Sequence, residues 1–293
     1  MLRRYTRPIT TPAAARAVRD YNRPFVSLLS DFGARDPSAA ICKAVVLSIA
    51  PDALVVDISH EVEKFQVRDG ALLLWCAVPY MPIGAHVAVV DPGVGTERLP
   101  IAIETARGDI LVGPDNGILG PAAERLGGIE WAHVLENPEY RLPVISSSFH
   151  GRDLFAPAAA HMALGVPIHV LGPGIDAAEL VQLEWPVPEI RDSEFLTAVI
   201  YVDTFGNVKL AGEPSDMLAA VGPVEYGQAL EVRLNGRGAL AAAFWADTFG
   251  RVPIGELLVY EDSYGRLCLA ENQGSAAARL GLEEGSAVSI GRA

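Results

Sequence analysis

Cysteine is scarce in this chain: Cys42, Cys76 and Cys268 are the three among 293 residues, odd in number and far apart. They provide neither a disulfide framework nor a CxxC metal motif, and a reducing, cytoplasmic setting is expected. Long apolar runs are missing too. The longest, around Ala71 to Met81, falls short of the roughly 20 residues that span a bilayer, and Pro79 breaks it. Positive charge is in the minority, with 23 Lys and Arg against 36 Asp and Glu and a formal net charge of −13. Such a chain repels phosphate backbones, so neither nucleic acid nor membrane is an expected partner, and a neutral or cationic ligand fits better. The exception is the first 23 residues, where Arg3, Arg4, Arg7, Arg16, Arg19 and Arg23 face one acid, Asp20. Without the apolar stretch of a secretory signal, this segment reads as a flexible basic arm.

What is present is apolar and ordered in blocks. The length suits two cores rather than one. From Phe25 onward, short β-branched runs alternate with helix-length segments: strand Phe25 to Leu29, helix Pro37 to Ile49, strand Ala53 to Ile58, helix Val67 to Val78, strand Ala85 to Val90. Two further strands flank Arg107 and Gly108 as an antiparallel pair. The alternation predicts an α/β domain over 24–184, with a mostly parallel sheet covered on both faces. A Pro-rich segment, Trp185 to Glu189, then changes the texture. Beyond it, short strands parted by Gly, Asn and Asp turns predict a smaller all-β domain over 190–293, a barrel or sandwich.

Chemistry concentrates in three glycine-containing segments: SDFGARD (Ser30 to Asp36), DPGVGTER (Asp91 to Arg98) and SSFHGRD (Ser147 to Asp153). Asp31 directly follows the first strand and Asp91 the third, so both carboxylates should reach the rim where α/β sheets bind ligands. DPGVGTER is only a partial dinucleotide fingerprint, because Arg98 stands where a third glycine is needed and no P-loop lysine follows. PDNG (Pro114 to Gly117) reads first as a turn, with Asn116 a candidate to face the site. Among the histidines, His150 has the most reactive company, whereas His60, His86, His133, His161 and His169 are expected to be structural. HExxH and paired-His spacings are missing, so no metal is expected.

The ordered run SDFGARDPSAA, DISHEVEKFQVRDGA, VVDPGVGTER, VGPDNG, SSFHGRDLFAP, VDTFGNV and LAENQGSAA resembles the S-adenosylmethionine hydroxide adenosyltransferases, relatives of the fluorinases and chlorinases. The resemblance runs from Phe25 to near the C-terminus. It implies that water or hydroxide attacks ribose C5′ of S-adenosylmethionine, giving adenosine and L-methionine. That molecule would be the substrate, with no cofactor. The family's water-handling trio falls on Asp91, Arg98 and His150, His150 being placed to accept the proton. Asp31 matches the carboxylate that grips the ribose hydroxyls, with Phe65 and Phe149 against the sugar. Asp36, Ser38 and Asp203 match groups around the methionine amine and carboxylate. Asn207 matches the adenine edge, Phe205 and Phe249 offer stacking faces, and Ser263, Tyr264 and Gln273 would complete the pocket. The resemblance further implies a homotrimer whose pocket lies between neighbouring subunits. Two rival readings are a halide-dependent adenosyl transferase and a non-catalytic S-adenosylmethionine or adenosine sensor. Against the first, Asp91 stands where the halogenating relatives carry Tyr and His150–Gly151 where they carry Tyr-Ser. A carboxylate there would repel a halide.

Overall fold

In the computed structural model, residues 23–191, 193–234 and 239–293 are described. The arginine-rich arm, except for Arg23, lies outside them. Arg23 Nε donates to the Asp52 carbonyl oxygen at 2.8 Å. The chain divides into two compact units between Leu183 and Glu184.

The first unit is built on a six-stranded sheet in the order β2-β1-β3-β5-β4-β6. Its strands are β1 (Phe25–Ser30), β2 (Leu54–Ser59), β3 (Ala85–Val89), β4 (Pro100–Thr105), β5 (Ile110–Pro114) and β6 (Ile129–Val134). The β1–β2, β1–β3 and β3–β5 pairs are parallel, and β4 runs antiparallel to β5 and β6. This is the mostly parallel sheet that the alternating pattern predicts. Helices α1 (Ser38–Ile49), α2 (Val67–Ala77), α3 (Gly120–Arg125) and α4 (Ala156–Ala163) surround it. Val26 and Leu28 of β1, Val87 and Val89 of β3, and Val112 of β5 share one core with residues of α1 and α4. Helices α2 and α3 pack together and cover the other face. The approach of α2 is close: a Cβ on Gly70 would press on Val90 and Ile118 at 2.9 Å.

Because β1 is buried along its whole length, its two serines need partners inside the protein. Ser27 Oγ bonds His86 Nδ1 at 2.7 Å, and His86 Nε2 meets Asp109 Oδ1 at 3.0 Å. Arg107 grips the same carboxylate through Nε at 2.5 Å and Nη2 at 2.8 Å. Ser30, at the other end of β1, bonds His60 Nδ1 at 2.7 Å.

The second unit closes on itself. Its strands are β7 (Glu189–Arg191), β8 (Glu194–Val202), β9 (Val208–Leu210), β10 (Ala229–Leu234), β11 (Ala239–Trp245), β12 (Leu257–Glu261), β13 (Leu267–Glu271) and β14 (Ala287–Arg292). They pair in the order β14-β10-β11-β12-β13-β9-β8-β7, and β14 also pairs with β8. The outcome is a closed barrel of seven strands, with β7 as an added hairpin arm. The alternation in β10 shows why: Leu230, Val232 and Leu234 turn inward while Ala229 and Arg233 are exposed. Phe195, Val199, Leu257, Leu269 and Ile290 join them in the filling of the barrel.

Two short helices, α5 (Pro214–Val221) and α6 (Ala276–Leu280), depart from the all-β expectation. Each is too short to show a helical period, yet each is capped. Glu213 and Asp216 form a reciprocal capping box ahead of α5, and Ser275 Oγ accepts from Ala278 N at 3.1 Å at the start of α6.

Candidate active site

After β1 the chain crosses through α1 to β2 on one side, and from β2 through α2 to β3 on the other. The carboxyl ends of β1 and β3 therefore flank a topological switch point, where an α/β sheet opens a crevice. Asp31 and Asp91 emerge there.

Arg98 is the centre of the arrangement. Its Nε donates to Asp91 Oδ1 at 3.1 Å, and its Nη2 donates to Asp91 Oδ2 and lies 3.1 Å from His150 Nδ1. The Arg98 and Asp91 side chains are only 7% and 6% exposed, so their attraction is little screened. Its guanidinium also lies 5.4 Å from the centroid of the Phe155 ring. One donor, Nη1, is buried and has no hydrogen-bond partner among the described residues. Guanidinium has no acceptor, so the Arg98–His150 contact requires a lone pair on Nδ1. The neutral ring then carries its proton on Nε2. Burial, followed by the positive charge of Arg98, pulls the His150 pKa below its ordinary value of 6.5, against opposing pulls from Asp91 and Asp153. Neutral imidazole is the resting form.

Local structure holds the trio together. Gly95 has φ +77°, and a Cβ there would strike the Ser147 carbonyl oxygen, so the glycine lets the DPGVGTER turn lie directly on the SSFHGRD segment. Beyond His150 the chain makes a π-type turn, Gly151–Phe155, and runs into α4. Asp153 is buried inside this turn and accepts from Ser146 N at 2.8 Å and Arg152 Nε at 2.6 Å. Phe149 meets Phe32 edge-on at 5.8 Å, with the Arg152 guanidinium 5.0 Å from its centroid.

Asp31 is held from a second loop. Its Oδ2 accepts from Phe65 N at 3.0 Å, and its carbonyl oxygen accepts from Lys64 Nζ. Phe65 adopts φ +66°, uncommon for a residue with a side chain, and exposes its ring. Asp36 accepts from Ser38 N at 2.9 Å and from the Ser38 hydroxyl, which together hold its pKa below the usual carboxylate value. The loops Phe32–Asp36 and His60–Lys64 line a cleft of about 480 Å³. Asn116, a candidate to face the site, bonds backbone on both sides of its amide. Its Nδ2 donates to Val90 O at 2.8 Å and its Oδ1 accepts from Ile118 N at 3.2 Å, tying down the peptide before Asp91.

The second unit carries the remaining candidates. Asp203 Oδ1 accepts from Phe205 N and Asn207 N, and its Oδ2 from Asn207 Nδ2, each at 2.9 Å. Asp203 and Asn207 thus stiffen one turn and display Phe205, 77% exposed, at its tip. Phe249 tilts against Tyr260 at 5.1 Å, and Gln273 sits exposed at φ +59°. Ser263 and Tyr264 occupy the β12–β13 turn. It is tied to β9 by the Lys209–Asp262 pair, with Lys209 Nζ 5.1 Å from the Tyr264 centroid.

Sequence reasoning missed Lys64, Asp115 and the setting of His60. Asp115, buried in the PDNG turn, accepts from Val181 N at 2.9 Å, and burial raises its pKa, against the pull of Arg98. That turn was the signal available for it. His60 has Asp57 three residues before it, but its other partner, Ser30, comes from the neighbouring strand and leaves no local signal.

Comparison with known proteins places the chain in a family. The profile of the SAM hydroxide adenosyltransferase N-terminal domain matches residues 26–172, and that of the C-terminal domain residues 197–289. An (R)-S-adenosyl-L-methionine hydrolase from Salinispora arenicola is 42% identical over 267 residues, covering 91% of this chain and 97% of that protein. A Nocardia brasiliensis fluorinase is more distant, at 29% identity, with 92% and 97% coverage. A crystal structure of a conserved Thermotoga maritima protein superposes with a TM-score of 0.84 at 36% identity, covering 91% of this chain and all of that one. Matched in both units, the chain belongs to the SAM hydroxide adenosyltransferase family.

Proposed function

We propose that the chain hydrolyses S-adenosyl-L-methionine to adenosine and L-methionine, as the relatives named for that reaction do. The observation that carries the reading is the buried Arg98 Nη1 donor, unpartnered beside Asp91 and His150. A hydroxide-like oxygen accepts from that donor and from His150 Nε2. It attacks C5′ in line with the C5′–S bond, whose electron pair leaves on sulfur as the neutral thioether. The water proton passes to solvent. Sulfonium is a good leaving group, so the residues mainly align the nucleophile and favour its anionic form. Asp91 keeps Arg98 in place and balances its charge. Asp31 takes the ribose, and Asp36, Ser38 and Asp203 the methionine end. By the same resemblance Phe65 and Phe149 lie against the sugar, and Phe205, Asn207, Phe249, Ser263, Tyr264 and Gln273 from a neighbouring copy of the chain complete the pocket. A homotrimer and a cytoplasmic setting complete the proposal, supported by the family resemblance and by three cysteines that are all free and buried.

The test is chromatography of products after incubation with the substrate's (R) form in chloride-free buffer. Equal amounts of adenosine and methionine are expected. A product that needs chloride would favour the halide reading, and bound, unconverted substrate the sensor. The pH profile gives a second check. Protonating His150 removes the Nδ1 acceptor and adds a cation beside Arg98, so activity falls as pH drops through the lowered His150 pKa. The acid limb of kcat/KM, which reports the free enzyme, should therefore lie below 6.5, the ordinary histidine value. A limb at or above that value would contradict the role given to His150.

A further inference from the structure

A second histidine constellation borders the cleft without touching the trio. Ser30 Oγ accepts from Phe32 N at 3.3 Å and lies 2.7 Å from His60 Nδ1; because the Asp57 carboxylate on the other side of the ring can only accept, a neutral His60 carries its proton on Nε2 and takes the Ser30 proton on Nδ1. His60 Nε2 then donates to Asp57 Oδ1 at 3.0 Å, and Lys43 Nζ holds Asp57 Oδ2 at 2.8 Å. Hydrogen bonds thus connect a lysine on α1, through Asp57 of β2, to the peptide just after Asp31, with Lys43 and His60 both donating to Asp57. The backbone repeats the connection: Gly33 N donates to His60 O at 2.7 Å and Val62 N to Ser30 O at 3.3 Å. His60 thereby anchors the start of the segment whose far end, Lys64 and Phe65, holds Asp31.

We propose that His60 is a positioning residue, which with Ser30 and Asp57 fixes the Asp31 loop and so sets the affinity for the ribose of the substrate. The assignment rests on the hydrolase reading above. Its logic is geometric. Asp31 holds Phe65 in an uncommon backbone conformation, and that geometry persists only if the 60–65 segment is pinned at both ends. A Ser–His–Asp set in such positions suggests nucleophilic catalysis, but Ser30 is 2% exposed and its hydroxyl is committed at both ends, so it is no nucleophile. The fold supplies an internal control: Ser27–His86–Asp109 repeats the same bonds at the opposite end of β1, away from the cleft.

The test compares His60→Ala, His60→Asn and Ser27→Ala in the full chain, by steady-state kinetics, titration calorimetry with S-adenosylmethionine and thermal unfolding. His60→Ala should raise KM and Kd about tenfold with kcat changed much less, because Asp31 binds ribose in ground and transition states alike. His60→Asn keeps an acceptor where Nδ1 stood and should recover part of the loss. Ser27→Ala should lower Tm and leave KM near wild type. Unchanged KM and Kd in a folded His60→Ala protein would overturn the proposal, as would an equal KM rise in Ser27→Ala. A wild-type protein that binds the substrate without releasing adenosine would defeat the hydrolase reading alone, the Kd comparison still deciding the role of His60. Wild type that neither binds nor converts it would defeat both.

Discussion

Replacing Arg98 with Met should lower kcat by about two to three orders of magnitude, the usual loss when one preorganised donor to a developing charge is removed. The size follows from the number of tasks this side chain performs. It neutralises Asp91, fixes the His150 tautomer and offers the free Nη1 donor, all in a setting where charge is weakly screened. Arg98→Lys should recover little. An ammonium is a point charge without the planar fork that reaches both Asp91 oxygens and His150 together. The Arg98→Met change would also leave Asp91 buried and unpaired, so part of the loss is structural. Adding Asp91→Asn separates the two effects: the double variant should regain much of the Tm and none of the rate. Adenosine release within about threefold of wild type from a folded Arg98→Met protein would remove Arg98 from the mechanism.

The largest change in stability should come from a site with no part in the chemistry. Asp109 is buried completely, with His86 on one side and Arg107 on the other. Asp109→Ala strips two donors and a cation of their partner, and breaking such a buried pair costs about 3–5 kcal/mol. Burial alone would raise the Asp109 pKa, but the hydrogen bonds and charges of Arg107 and His86 outweigh it and hold the carboxyl below its ordinary 3.8. A depressed carboxylate stabilises the fold above the unfolded-state pKa, and that stability disappears as pH falls through the folded one. The gap between wild type and Asp109→Asn should therefore be full at about pH 6 and narrow below about pH 4. Urea titrations at several pH values would measure it, and a gap independent of pH would refute the linkage.

Much of this was legible along the chain. β1 and β3 announce themselves as apolar runs ending in Asp31 and Asp91, and parallel-sheet topology alone puts those ends side by side. Gly95 was legible as a turn residue, though not as the contact that seats one motif on another. What stayed hidden depends on partners distant in sequence. His60 and His86 look alike as lone histidines in or near strands; the fold gives each its serine and gives His86 its acid, whereas the acid of His60, Asp57, lies three residues before it. Asn116 and Asn207 read as candidate ligand groups because amides recognise ligands well; the bonds of Asn116 to the Val90 and Ile118 backbone and of Asn207 to Asp203 could not be read along the chain. The direction of the proton on His150 was hidden as well, since it depends on which nitrogen Arg98 meets.

The β8–β14 pairing that completes the barrel bears on how this protein behaves when crowded. A sheet joined end to end offers no row of free amides and carbonyls on which another chain could grow. Among the described residues of this second unit the exposed hem is β7, three residues long with Glu189 and Arg191 at its ends. Short, charged margins of that kind are poor templates for fibres. Unfastening the seam, for example with Ser289→Pro, would turn a self-limiting surface into an adhesive one, and colloidal failure rather than lost chemistry would be the first symptom.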